Sequence, residues 1–166
     1  KAHKQLGGLL IIVPRHTERA SEIARLTSSM GFVCQIRSET PNLQEETEVY
    51  VADTMGEMGI WYSLVQIAFI GGSLVERGGH NPLEAAQLGV VSLHGPHIYN
   101  TSAKYRQLQS EGVSYEVNNA DDIVERFNSL SVKEMKTKAQ KAKNISQVDM
   151  TAVEESVKVI KKALTV

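Results

Sequence analysis

The chain has 166 residues, enough for one α/β domain of ordinary size with a sizeable core. Hydrophobic residues make up 42% and charged residues 22%, as in ordinary globular proteins, and a formal net charge of -1 excludes a global electrostatic pull toward nucleic acid. No apolar run approaches the roughly 20 residues that span a bilayer, no secretory signal is visible, and the single cysteine, Cys34, builds no disulfide framework.

The first residue is Lys1 and an apolar run follows within ten residues, so we expect an excised piece of a longer protein whose partner domain is missing. Leu9-Leu10-Ile11-Ile12-Val13 is a continuous apolar run, as in parallel strands buried on both faces, and Pro14 stops it. Thr17 is a candidate N-cap for a helix over residues 18–30, where Ile23, Leu26 and Met30 recur on one face, and Gly31 ends it. Residues 32–36, which include Cys34 as a small core residue, form the second strand. Residues 38–46, with Pro41 and Asn42, read as a loop.

Residues 48–52 form a third strand, followed by a break at Asp53-Thr54-Met55-Gly56 and a helix over 57–64 that holds Trp61 and Tyr62 as core residues. Residues 67–70 are a fourth strand, closed by Gly71-Gly72. A glycine-bearing loop then leads to Asn81-Pro82, with Asn81 as N-cap and Pro82 at the first helical position, and that helix ends at Gly89. A fifth strand (90–93), a helix (102–110), a sixth strand (113–117) and a helix (121–130) complete the alternation. Ser131 and Glu134 form a capping box that opens a further helix, and a last amphipathic helix is expected over 151–163. Short apolar strands alternating with helices predict a Rossmann-like three-layer αβα sandwich around a parallel sheet.

Ligands of such sheets bind beyond the carboxyl ends of the strands. Arg15, His16, the turn at residues 53–57, the segment from Gly71 to Glu84, and Gly95-Pro96-His97 all follow strands directly. Glycines let backbone N–H groups approach an anion, a helix N-terminus adds donors, and a guanidinium such as Arg15 binds phosphate bidentately. Glu84, three residues after Asn81, is placed either to accept hydrogen bonds from a ribose diol or only to complement the helix dipole. Arg15 can alternatively pair with Glu18 or Glu22. Met55 offers an adaptable apolar surface for a flat ring, against the alternative of a plain capped turn at Thr54. His16, His80 and His97 lack the cysteines or paired carboxylates of a zinc site. Gly71-Gly72-Ser73 follows the fourth strand and lacks the G-x-G-x-x-G pattern, which argues against a nicotinamide cofactor.

Taken together, Pro14-Arg15-His16, Asp53-Thr54-Met55-Gly56-Glu57-Met58-Gly59, Phe69-Ile70-Gly71-Gly72-Ser73-Leu74-Val75, Gly78-Gly79-His80-Asn81-Pro82-Leu83-Glu84-Ala85-Ala86 and Gly95-Pro96-His97 resemble the Kdo (3-deoxy-D-manno-octulosonic acid) transferases of lipopolysaccharide synthesis. The match runs in order over residues 9–117. It departs from the family at Ala85, where proline is frequent, and at Val75-Glu76-Arg77.

The resemblance implies a GT-B glycosyltransferase of two Rossmann-like domains, with all of residues 1–166 as the C-terminal donor domain. Residues from about 149 would pack on the absent N-terminal domain and leave an apolar stripe of Val153, Val157 and Ile160 exposed here. It implies CMP-Kdo as donor substrate, no cofactor, no metal, and contacts from Pro14, Arg15, Met55, Gly56, Glu57, Asn81, Pro82, Leu83 and Glu84. It also implies inverting transfer to a lipid A precursor, a catalytic base in the other domain and none in this chain, no nucleic-acid partner, and an intact enzyme at the cytoplasmic face of the bacterial inner membrane. Alternatives are a UDP-sugar transferase or epimerase domain and a non-catalytic nucleotide-binding module. Lys133, Lys136, Lys138, Lys141 and Lys143 form either a solvated helix face or a membrane-facing one.

Overall fold

The computed structural model describes residues 1–40 and 42–164. Pro41 of the expected loop lies outside them, as do the side chains of residues 148–156, 158, 159, 163 and 164, Val153 of the expected stripe among them. The chain divides into two compact units, Lys1–Trp61 and Tyr62–Val166. It is α/β and Rossmann-like throughout: every strand pairing is parallel, and the ladders form two three-stranded sheets, one in each unit.

The first unit contains α1 (Ala2–Leu6), β1 (Leu10–Ile12), a 3-10 turn (Thr17–Arg19), α2 (Ala20–Ser29), β2 (Cys34–Ile36) and β3 (Val49–Val51). The order is β1-β3-β2, with Ile12 and Ile36 both opposite Val51. All of β3 is buried, as a central parallel strand requires. Its side chains alternate between two faces. Val51 packs with Ala20, Ile36 and the α2 residues Ile23 and Ala24, while Tyr50 and Ala52 pack with Trp61, Ile11 and Val13. Cys34 joins the first of these clusters, and burial pushes its thiol pKa up, as the core reading implies.

One local expectation is corrected. Thr17 is not a side-chain cap, because the chain enters α2 through the 3-10 turn, in which backbone bonds such as Arg19 N–H to His16 O (3.1 Å) satisfy the first donors. Gly31, at φ 86°, ends α2 as expected.

The division falls within α3 (Met58–Ser63), between Trp61 and Tyr62. The second unit contains β4 (Ile67–Phe69), α4 (Leu83–Gln87), β5 (Val91–His94), α5 (Ser102–Ser110), β6 (Ser114–Glu116), α6 (Ala120–Ser129) and α7 (Val132–Leu164), with sheet order β4-β5-β6. The central β5 is buried along its whole length. Ile70, Ala85, Val90 and Tyr105 form one core cluster, Ala86, Leu108, Val113 and Ala142 a second, and Val91, Leu130 and Met135 a third.

The two helices expected after residue 130 are one continuous 33-residue helix. No glycine or proline interrupts residues 131–164, so the break expected before residue 151 does not occur. The capping box at its start is formed in both directions: Glu134 Oε2 accepts from Ser131 N–H at 2.9 Å, and Ser131 Oγ accepts from Glu134 N–H at 3.3 Å. Among the lysines of α7, Lys138 donates to Gly112 O at 2.8 Å and Lys141 pairs with Glu111 at 2.7 Å, which supports a solvated, partly structural face. Val157 and Ile160 are exposed. No described helix is long and apolar enough to cross a membrane.

Candidate functional site

The candidate residues lie at the carboxyl ends of the two sheets. In the first unit, Pro14 and Arg15 follow β1, and residues 53–57 follow the adjacent β3. Arg15 is exposed, and the acids that could have paired with it are engaged elsewhere, Glu18 facing His16 at 3.6 Å and Glu22 facing Arg19 at 3.1 Å. Met55 and Gly56 make the turn itself. Met55 is 82% exposed and Gly56 has φ 80°, the left-handed conformation that glycine adopts without penalty.

Glu57 closes the turn. Arg37 donates to it through Nε at 2.5 Å and through Nη2 at 2.8 Å, and the Thr54 hydroxyl donates to the same carboxylate. These donors favour the charged form, so the carboxyl of Glu57 falls from the usual 4.5 to about 2, chiefly because of Arg37 and then Thr54, while the Arg37 guanidinium is held protonated still more firmly than usual. Asp53 is anchored too: its carboxylate accepts from Ser38 N–H at 3.0 Å and from Ser38 Oγ at 2.5 Å.

In the second unit the loop after β4 is tied to the loop after β5 through Ser73, which is fully buried. Its Oγ donates to Ile70 O (2.6 Å) and accepts from Gly95 N–H (2.9 Å), and its carbonyl accepts from His97 N–H (3.0 Å). Gly95 must be glycine, since a Cβ there would lie 2.5 Å from the Ser73 carbonyl carbon. The glycine loop closes on itself through Gly79 N–H to Gly72 O at 2.9 Å, and Tyr105 OH donates to His80 O at 2.8 Å. Asn81 Oδ1 accepts from Leu83 N–H at 3.0 Å, but α4 begins at Leu83 with Pro82 at the N-cap position, one residue later than expected, and Pro82 is buried. One of the helix donors expected for an anion is therefore already taken by Asn81. Leu83 is half-buried and Glu84 is exposed in the first turn of α4. Burial, with the Glu84 charge as a second cause, raises the pKa of the Tyr62 phenol.

His94, at the end of β5, is fully buried and packs at a tilt of 52° against Tyr105, 4.4 Å between ring centroids. Its Nδ1 lies 2.8 Å from Gly95 O, so Nδ1 carries the proton and Nε2, which finds no partner among the described residues, is the bare nitrogen. Burial lowers its pKa, which outweighs the Gly95 carbonyl and the Glu116 charge acting the other way.

Each sheet thus gathers its own expected residues, Pro14, Arg15, Met55, Gly56 and Glu57 in one unit and Asn81, Pro82, Leu83 and Glu84 in the other. The sequence reading missed Arg37, Ser73 and His94. Arg37 carries a usable signal, an arginine one residue beyond the second strand, a strand end to which the sequence reading assigns no candidate. Among the described residues no group of three His, Cys, Asp or Glu side chains is placed to hold a metal. A hollow of about 560 Å³ opens at the opposite, amino ends of β1 and β3. Its lining includes Glu45, Glu46 and Glu48, which would repel an anionic nucleotide.

No family model matches the chain. The solved C-terminal CMP-Kdo binding domain of WaaA from Acinetobacter baumannii aligns with a TM-score of 0.73 at 31% identity, covering 81% of this chain and 72% of that one. This chain belongs to the Kdo transferase family. Among curated 3-deoxy-D-manno-octulosonic acid transferases, that of Haemophilus influenzae is 40% identical over 120 residues (71% of this chain, 28% of the relative). That of Aquifex aeolicus is 33% identical over 137 residues (82% and 37%), and that of Rickettsia felis 30% identical over 160 residues (93% and 34%). The chain therefore spans 28% to 37% of the length of these Kdo transferases.

Proposed function

We propose that this chain is the donor-binding domain of a GT-B Kdo transferase and that it binds CMP-Kdo through Pro14, Arg15, Met55, Gly56, Glu57, Asn81, Pro82, Leu83 and Glu84. The observation that carries the reading is the likeness, at 31% identity and TM-score 0.73, to a solved domain described as CMP-Kdo binding. Exposed Arg15 is the kind of cationic group that an anionic CMP leaving group needs as the sugar–phosphate bond breaks. Glu84, exposed beside that loop, is suited to accept from a ribose diol.

On this reading the acceptor hydroxyl of a lipid A precursor attacks the anomeric carbon with inversion, and a base in the other domain takes its proton. The end of α7, from about residue 149, packs on that domain, and the intact enzyme works at the cytoplasmic face of the inner membrane. The chain alone binds nucleotide without turnover.

Calorimetric titration with CMP and UMP tests the reading. We expect saturable CMP binding, weakened by Glu84→Ala and by Arg15→Ala. Preference for UMP would point instead to a UDP-sugar enzyme, and transfer of Kdo by the chain alone would refute the missing base.

A further inference from the structure

The turn at Met55 and Gly56 has little to hold it in place. Met55 is 82% exposed, and a Cβ built on Gly56 would meet nothing within 4 Å. An unpacked exposed turn ordinarily samples several conformations, and a ligand that needs one of them must pay for ordering it. Yet both ends of this turn are fastened. Asp53 is tied to Ser38, and Glu57 is gripped by the fork of Arg37.

Arg37 is itself anchored in the core of the first unit. Its Nη1 lies 3.3 Å from Tyr50 OH and its guanidinium sits 5.2 Å from the ring centre of Trp61, two buried aromatics that pack edge to face at 5.8 Å. The connection thus runs from the core, through Arg37, to the exposed turn. Both oxygens of Glu57 accept hydrogen bonds along the way.

We infer that Arg37 is a positioning residue for the candidate nucleotide site: its guanidinium clamps the Glu57 carboxylate and so sets the shape of the turn at Met55 and Gly56. The inference rests on the donor-site reading above but has a consequence independent of it. A lysine cannot reproduce the two-pronged grip, because its ammonium is a point charge rather than a planar fork.

The test uses this chain with Arg37→Ala, Arg37→Lys, Glu57→Gln and the Arg37→Ala/Glu57→Gln double variant. The first readout needs no ligand: the backbone ¹⁵N order parameter of Gly56 should fall from about 0.85 to about 0.6 in Arg37→Ala, with an intermediate value in Arg37→Lys and no change at Val49 and Val51. The second is CMP affinity, which should weaken by about tenfold in Arg37→Ala. The double variant should be no weaker than the worse single one, because both substitutions open the same clamp. An unchanged Gly56 order parameter in Arg37→Ala would overturn the inference, as would a double variant whose losses add. If the parent chain does not bind CMP, the donor-site reading fails and the order parameter still decides the role of Arg37.

Discussion

The turn after β3 and the loops after β4 and β5 occupy the same kind of position, the carboxyl end of a parallel sheet, yet they are held by different physics. The turn in the first unit is fastened through partly exposed carboxylates, Glu57 gripped by the Arg37 guanidinium and Asp53 by the Ser38 hydroxyl and N–H. The loops in the second unit are fastened by neutral, fully buried groups, Ser73 and His94, and by glycines whose missing side chains let two backbones touch. Charged straps exposed to solvent are screened by salt and contribute little to folding, so they can shape a surface turn at small cost to the rest of the molecule. Buried neutral bonds are expensive to leave unmade, so the second arrangement couples the loops to the stability of its whole unit.

The sharpest way to break this contrast is Gly95→Ala. Its Cβ would press on the Ser73 backbone, and we expect a loss of roughly 3 kcal/mol or more, read as a shifted urea midpoint. Ser73→Ala comes next. It leaves the buried Gly95 N–H without an acceptor, and the expected loss is about 2 kcal/mol in the same measurement.

Acidification should then separate the two units by where each begins to suffer. His94 has a pKa lowered by burial, so the folded state resists taking up its proton. Its contribution is complete above the ordinary value of 6.5 and is lost as pH falls below it. Glu57 has its pKa lowered from 4.5 to about 2, so its contribution is complete above 4.5 and disappears only between there and about 2. Unfolding midpoints between pH 7 and pH 3 should show the first decline near 6.5 in the parent chain and a weaker one in His94→Phe. Glu57→Gln should alter the profile only below 4.5. A profile flat down to 4.5 in the parent chain would contradict the buried, neutral state of His94.

The smallest effect is expected at Lys141→Ala. The pair with Glu111 is short, at 2.7 Å, but both side chains are about half exposed, so the change in unfolding free energy should stay below about 0.5 kcal/mol.

Much of this arrangement was legible in the chain itself. The segments at 9–13, 48–52 and 90–93 announced strands, although the expectation that 9–13 is buried on both faces fails, since β3 and β5 are buried along their length while Leu9 and Leu10 at β1 are exposed. Gly31 marked the end of α2, and Ser131 with Glu134 spelled out the start of α7. Asn81 was readable as an acceptor for the first N–H of α4 for the same reason. Each of these signals acts over at most a few residues, where backbone geometry and one neighbouring side chain decide the outcome. The family was legible as well, because the strings around Met55 and Asn81 stand in order along the chain, and the likeness to the solved CMP-Kdo binding domain upholds that reading.

The supports of the candidate site were not legible in this way. Arg37 meets Glu57 across 20 residues, and Ser73 meets Gly95 across 22. The first meeting depends on β2 pairing with β3 in a register that sets Ile36 opposite Val51, and the second on β4 pairing with β5. Local sequence determined which segments become strands, which turns carry glycine and which family the chain joins. Which carboxylate is gripped by an arginine, and which loops are knotted by a buried serine, was decided only by strand register, because partners distant in sequence meet only once the sheets have formed.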